Sequence, residues 1–353
     1  MTPSARVERH GVLRFSGGQI TSHVEADVHH SSRLKDRDVD IGALDSATVH
    51  SALSRRKLFG SINKVIDASI SGRVVDVDGV QYDDKNQLRR MHRRSVLLTR
   101  THGGIATTRA TVGTADSIKV ADCLPVATRL APEQEMTPTL PDRIMFSPLA
   151  FAELLAEFAA VAFSVQDAPD VYRREERWLG EKLGPPGLSV VDDPAATGGW
   201  PIDLHGRYRS HVPLVERGVA IGAVTAVKEG GAPGARSDIP ELAAYPADLV
   251  MSFSQNKPCG LETAPTLHIG RVHYVSVIDA HRGILTASTR DTVWLYRPGK
   301  PAAAVGDMRI TVAMPDLLSG IVGTLPGSSE TVPVSWGGVV VRCPFVVCEG
   351  VSL

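Results

Sequence analysis

The chain has 353 residues, 38 basic and 39 acidic side chains and a formal net charge of -1. A balance this even excludes a global field that would draw nucleic acid or an anionic membrane surface, and the length suits two domains of ordinary size. The four cysteines, Cys123, Cys259, Cys343 and Cys348, have neither CxxC spacing nor the density of a disulfide scaffold. MTPSARVERHGVLRF at the N-terminus holds no apolar core of signal-peptide length, and no stretch reaches the ~20 apolar residues of a membrane span. A cytoplasmic protein is expected.

Residues 1–130 read as an N-terminal α+β domain of α/β-type mixed content. Val12–Phe15 and Gln19–Val28 predict strands around the turn Ser16-Gly17-Gly18, and Ser95–Arg100 with Ile105–Val112 predict a second pair joined at His102-Gly103-Gly104. Between them Val49, Ala52 and Leu53 give Ser46–Leu58 a helical spacing. The dense basic run Arg89-Arg90-Met91-His92-Arg93-Arg94 follows Asp83-Asp84, and aromatics are only 5% of the chain. With no stacking platform for bases, that run reads as a solvated strand edge. Residues 131–142 carry three prolines and no periodicity, so they form a linker that cannot continue a helix or enter a central strand.

Residues 143–353 read as a second domain of mostly antiparallel β-sheet, curved or closed into a barrel, with a packed helix; the whole chain is α+β. The helix has a clear start, since Ser147 suits an N-cap and Pro148 the first helical position. Phe151, Leu154, Leu155, Phe158 and Ala162 form one apolar stripe, leaving Glu153 and Glu157 on a polar side. A second helix is expected over Tyr172–Leu183, stopped by Gly184-Pro185-Pro186. β-prone runs follow at Leu188–Val191, Val212–Val215, Val219–Val224, Leu249–Phe253, His273–Ile278, Thr292–Tyr296, Met308–Val312, Thr331–Ser335 and Val339–Val347.

Familiar reaction motifs are absent. There is no GxSxG elbow, no Walker GxxxxGK[ST] and no GxGxxG opening a helix. The close histidine pairs, His29 with His30, His205 with His211 and His268 with His273, are not spaced to converge on a metal; Gly270 is expected to end a strand between the last two. Cys343 and Cys348 read as buried small hydrophobes that do not pair with each other.

Several short pieces occur in an informative order: FSPLAFAELLAEFAAVAF (146–163), RWLGEKLG, LSVVDDP, GGWPIDLHGRYRSHVPLVERG, APTLHIG (264–270), VWL (293–295), GKP (299–301), MRIT (308–311), LLSGIVG (317–323) and VPVS (332–335). Together they resemble the TldD/PmbA family, also called TldD/TldE, over residues 143–353. The resemblance implies two kinds of subunit that pair to enclose a proteolytic chamber, the catalytic kind carrying HExxxH on the first helix. Here the corresponding window is Ala156-Glu157-Phe158-Ala159-Ala160-Val161, and the stretch where the family places a third ligand, a cysteine, reads Gly323-Thr324-Leu325-Pro326-Gly327-Ser328-Ser329-Glu330. Alanine and valine offer no lone pair, so this chain is expected to hold no metal and no catalytic residue of its own, the zinc belonging to the partner subunit.

Two groups remain as candidates. Glu157 stands at the catalytic-glutamate position and is either a solvent-side or partner-facing carboxylate or a chamber-facing one. Where the family has an acidic DxEG-like signature, this chain has Asp203-Leu204-His205-Gly206. Asp203 and Gly206 there either shape a turn, or Asp203, His205, Arg207 and Arg209 line a chamber wall and bind substrate.

The resemblance thus implies a TldE/PmbA-like subunit that closes the chamber of a heterodimeric zinc metallopeptidase beside a TldD-like catalytic subunit and helps bind an extended peptide or peptide-like substrate. One alternative is a divergent member recruited to antibiotic or other natural-product biosynthesis, hydrolysing an amide of a small intermediate together with a TldD-like partner. Another is a non-catalytic binding or regulatory protein.

Overall fold

The computed structural model describes residues 5–16, 19–30, 69–82, 88–102, 105–114, 117–118, 120–123, 134–135, 140–165, 178–203, 208–225, 232–233, 244–254, 264–291, 293–298, 300–336 and 338–353. The helix expected over Ser46–Leu58 and most of the helix expected over Tyr172–Leu183 lie outside them. Of the latter, Trp178 is helical, but the chain then turns, and Lys182 bridges Val219, so Leu179–Leu183 are not helical.

The first sheet is built from β1 (Ala5–Ser16), β2 (Gln19–His30), β3 (Ile70–Tyr82), β4 (Leu88–His102) and β5 (Ile105–Thr114), antiparallel in the order β2-β1-β3-β4-β5. Ser16 pairs with Gln19 and His102 with Ile105, registers that suit the two-residue Gly-Gly connections of tight hairpins. The basic run is at a strand edge only in part: Arg89–His92 pair with β3 alone among the described residues, whereas Arg93 and Arg94 lie between β3 and β5. Its last arginine, Arg94, is buried and forked onto Asp76, with Nε to Oδ1 and Nη2 to Oδ2 both at 2.6 Å. The register explains the choice of partner, since Asp76 lies directly across from Arg94.

The remaining strands are β6 (Gln134–Glu135), β7 (Arg143–Phe146), β8 (Ser164–Val165), β9 (Leu188–Asp192), β10 (Val212–Glu216), β11 (Val219–Ala220), β12 (Val224–Thr225), β13 (Ala232–Pro233), β14 (Asp248–Phe253), β15 (Thr266–Ile269), β16 (Val272–Asp279), β17 (Ile284–Thr289), β18 (Val293–Arg297), β19 (Lys300–Val305), β20 (Arg309–Ala313), β21 (Ile321–Thr324), β22 (Glu330–Pro333), β23 (Val340–Cys343) and β24 (Val346–Glu349). They form four open sheets, β11-β10-β9-β14-β23-β22, β21-β24-β7-β15-β18-β19-β6, β13-β12-β8 and β16-β17-β20. Among the described residues none is closed into a barrel, so of the two expected forms the open one is found. Most pairs are antiparallel; β14 with β23, β15 with β7, β12 with both β13 and β8, and β19 with β6 are parallel.

The run Val339–Val347 is two strands and not one. Pro344 interrupts it, and the chain passes from the sheet of β23 to the sheet of β24. Proline has no N–H for a ladder, and the break sends Cys343 and Cys348 into different sheets. Val219–Val224 likewise divides into β11 and β12, which belong to different sheets.

The central helix, α1 (Pro148–Ala162), begins where the sequence puts it. Ser147 Oγ accepts from Ala150 N at 3.2 Å and donates to Gly270 O at 2.6 Å. Phe151, Leu154, Leu155 and Phe158 are fully buried, each contributing about 1.5–3 kcal/mol relative to exposure. Phe158 meets Phe163 and Trp178 edge-on at 5.9 and 5.4 Å. The opposite side is closed too: Ala150, Ala152, Ala156 and Ala159 have no exposure, and only Glu157 and Val161 are partly open. α1 is thus a core helix packed by β16, β22 and β23, and not a half-exposed amphipathic one. Two short α-helices, α2 (Pro194–Thr197) and α3 (Met314–Ser319), and one turn of 3-10 helix at Val120–Cys123 complete the described fold. No helix of the described residues is long and apolar enough to cross a membrane.

The first sheet is docked on this body. Ala110 and Leu97 join the main core, Val77 and Met91 pack with Trp200, and Thr108 donates to Asp291 at 2.8 Å.

Candidate functional site

Glu153 and Glu157 lie one helical turn apart on α1 and have different surroundings. Glu153 is buried, and both of its oxygens are engaged: Ser335 N donates to Oε1 and Ser335 Oγ to Oε2, each at 2.9 Å. Burial raises its pKa above the ordinary carboxyl value, and the two Ser335 bonds offset part of that rise. Ser335 ends the VPVS segment, just beyond β22. A carboxylate on the first helix and a serine 182 positions later therefore tie helix to sheet.

Glu157 has no comparable partner among the described residues. Its carboxyl is pushed up to about 7, first by burial and then by the charge of Glu153. No described cation contributes to its electrostatics. At neutral pH it is close to half protonated, so it can donate or accept a hydrogen bond along the open strip of α1. Val161 continues that strip at i+4.

The second candidate region is the segment after β9. Asp193 caps α2, its Oδ1 accepting from Ala195 N at 3.0 Å and Ala196 N at 3.2 Å. Thr197 Oγ1 donates to Asp248 Oδ1 at 2.6 Å. Arg209 returns to the same carboxylate, with Nη1 to Asp248 Oδ2 at 2.6 Å and Nη2 to both oxygens of Asp192 at 3.1 and 3.0 Å. Its Nη1 also donates to Trp200 O at 3.2 Å. Burial works against the guanidinium's charge, but Asp192 and Asp248 outweigh it and hold the proton more firmly than usual. Gly199 lies against the Asp248 carboxylate so closely that a Cβ there would overlap it.

The predicted substrate residues therefore separate. Arg209 is buried and committed to Asp192 and Asp248, which gives it a structural task. Asp203 is buried just before it, and Tyr208 is exposed. His205 and Arg207 lie outside the described residues. Arg209 N donates to Pro201 O at 2.9 Å and Ile202 bridges Tyr208, so the loop is closed at its base. Sequence reasoning missed the roles of Ser335, Asp192 and Asp248; Asp192 and Ser335 stood in the LSVVDDP and VPVS pieces, but their partners carried no signal, because pairing across such separations leaves no local periodicity.

The remaining candidates do not assemble a centre. His268 on β15 lies against the rings of Tyr296 and Phe345, neither of its nitrogens has a hydrogen-bond partner among the described residues, and burial lowers it to about 4. His273 Nδ1 meets Ser288 O at 3.1 Å on the far side of Gly270. Cys343 and Cys348 are free and buried, each thiol donating to a carbonyl, of Pro148 and of Leu317, at 3.5 Å. Among the described residues no three His, Cys, Asp or Glu side chains gather to hold a metal ion.

The sequence profile of the PmbA/TldA metallopeptidase C-terminal domain matches residues 142–352. No curated protein sequence matches the chain. Its fold is similar to that of TldE from Thermococcus kodakarensis, at a TM-score of 0.65 and 12% identity, covering 99% of this chain and 96% of that one. A proposed modulator of a DNA gyrase from Thermotoga maritima is similar at 0.65 and 14%, covering 99% and 95%, and another from Bacteroides thetaiotaomicron at 0.65 and 13%, covering 99% and 93%. At these identities the likeness concerns the fold. The profile spans more than half of the chain and includes α1, VPVS and both short cysteine-bearing strands, and on that ground the chain belongs to the TldD/PmbA metallopeptidase family.

Proposed function

We propose that this chain is the TldE-like, metal-free half of a heterodimer, closing a chamber whose zinc and catalytic groups come from a TldD-like partner and helping to hold an extended peptide or peptide-like substrate. The observation that carries this reading is the retention of α1 as a buried core helix with Ala156 and Val161 where metal ligands would stand. Neither side chain has a donor atom, and zinc at a catalytic site takes three protein ligands and an open position. Glu157 remains at the rim of the same helix as a carboxyl able to meet a backbone amide or carbonyl. The gyrase modulators among the similar structures lend a regulatory reading only their fold, at 13–14% identity.

The reading is tested by co-expressing the chain with an HExxxH-bearing family member from the same genome, followed by size-exclusion chromatography and zinc analysis. A stoichiometric complex with zinc dependent on the partner's histidines is expected. Stoichiometric zinc and peptide cleavage by the isolated chain would overturn it.

A further inference from the structure

We infer that Arg14 and Arg73 form a carboxylate-binding site on the face of the first sheet turned toward the body that holds α1, so that the ligand is an anionic peptide or peptide-like molecule. This rests on the chamber reading and gives the ligand held there a charge. Arg14 on β1 and Arg73 on β3 are direct cross-strand partners, so their side chains leave the same face with Cβ atoms about 4.5–5.5 Å apart. Both are exposed, and neither has an ion pair among the described residues. Like charges directly opposite each other destabilise a sheet. Charge often protects an open sheet edge, but β1 lies between β2 and β3, and β3 between β1 and β4. A carboxylate seated between the two guanidiniums turns their repulsion into charge-assisted hydrogen bonds.

The register shows which way the pair faces. Its row continues through Leu97 on β4 to Ala110 on β5, and these two pack into the main core. The row thus runs, on one side of the sheet, from the contact with the body outward to two exposed arginines. The charge of Arg73 reaches Glu153 on α1, one turn from Glu157, and favours the ionised carboxyl there. Glu153 does not neutralise the pair, because Ser335 engages both of its oxygens. Arg271, the other cation acting on Glu153, is already bonded to Asp291 at 2.8 Å. The nearest carboxylate along β3, Asp76, is on the opposite face, where Arg94 holds it. Around the two arginines their own face carries exposed hydroxyl residues, Ser16, Thr21 and Ser71, which can add hydrogen bonds to an anion.

The test titrates the full chain by calorimetry at low ionic strength with four probes: acetyl-tetra-alanine with a free C-terminal carboxylate, its C-terminal amide, the amide with one alanine replaced by glutamate, and inorganic phosphate. Wild type is expected to bind a carboxylate peptide, and R14Q/R73Q to bind it at least about tenfold more weakly. R14K/R73K should fall between them, and R217Q, which removes an exposed arginine from the β10–β11 turn, should match wild type. The neutral amide should not distinguish wild type from R14Q/R73Q. Thermal unfolding without ligand separates binding from structure: R14Q/R73Q is expected to be at least as stable as wild type, since the repulsion is gone. Tighter binding of the free-acid or of the glutamate peptide assigns the C-terminus or an acidic side chain as the group held. Equal affinity of wild type and R14Q/R73Q overturns the inference, as does a wild type that binds neither carboxylate peptide, binding of phosphate alone, or a loss of stability in R14Q/R73Q. Failure to form a complex with the HExxxH-bearing partner counts against the chamber reading alone; equal binding with that complex intact counts against the carboxylate site alone.

Discussion

Glu153 and Glu157 are neighbours on one face of α1, yet only Glu153 is bonded to a described partner, through two 2.9 Å bonds from Ser335. The first acts as a bolt between helix and sheet. The second keeps an unmatched carboxyl at the one open strip of a buried helix, and the two therefore respond differently to substitution.

Glu157→Gln is expected to stabilise the chain at high pH. The folded-state value of the Glu157 carboxyl is raised from 4.5 to about 7, so folding favours the neutral form. Its favourable contribution is complete below pH 4.5 and is lost as pH rises through 7. The isosteric amide removes that loss, giving a gain of about 1–2 kcal/mol at pH 8 after discounting for the partly open side, and none at pH 4. Urea midpoints across pH 4–8 give the check; equal midpoints at pH 8 would mean that folding does not raise the value of the carboxyl.

Glu153→Ala is expected to be destabilising at every pH. It leaves the Ser335 backbone N–H without its acceptor, at a cost of about 1–3 kcal/mol, while Ser335→Ala removes one of the two bonds and costs about 1 kcal/mol. In a double-mutant cycle by chemical denaturation the two changes should couple, because they share a partner.

Arg209→Ala is expected to cost about 3–5 kcal/mol, because it leaves Asp192 and Asp248 buried without their cation. Arg209→Lys should recover only part of this, since an ammonium cannot span both carboxylates as the planar guanidinium does. Thermal unfolding measures the order wild type, Lys, Ala. If Arg209 instead served substrate binding alone, both variants would unfold like wild type.

In a Cys259→Ser variant, no thiol is expected to react quickly with Ellman's reagent under native conditions. Cys123, Cys343 and Cys348 are buried, and burial pushes all three thiols above their ordinary range, which suppresses the thiolate that attacks the disulfide. Complete reaction should follow unfolding in guanidinium. A fast native equivalent would place one of the three at the surface.

The sequence by itself determined the features that depend on near neighbours. Ser147 and Pro148 set the start of α1, Gly17-Gly18 and Gly103-Gly104 suit the tight hairpins, and the missing donors at 156 and 161 follow from residue identity alone. These signals are legible because capping, turn geometry and side-chain chemistry act over a few residues. The tertiary structure alone decided that α1 is enclosed on nearly every side, that Pro344 hands the chain from one sheet to another, and that Ser335 meets Glu153 while Asp248 meets both Thr197 and Arg209. Partners so far apart in the chain meet only because strand order brings them together, and strand order leaves no periodic trace in either segment. The alanines of α1 show the same limit: their small volume suits either a solvated face or a close helix–sheet contact, and only the packed sheets choose between them.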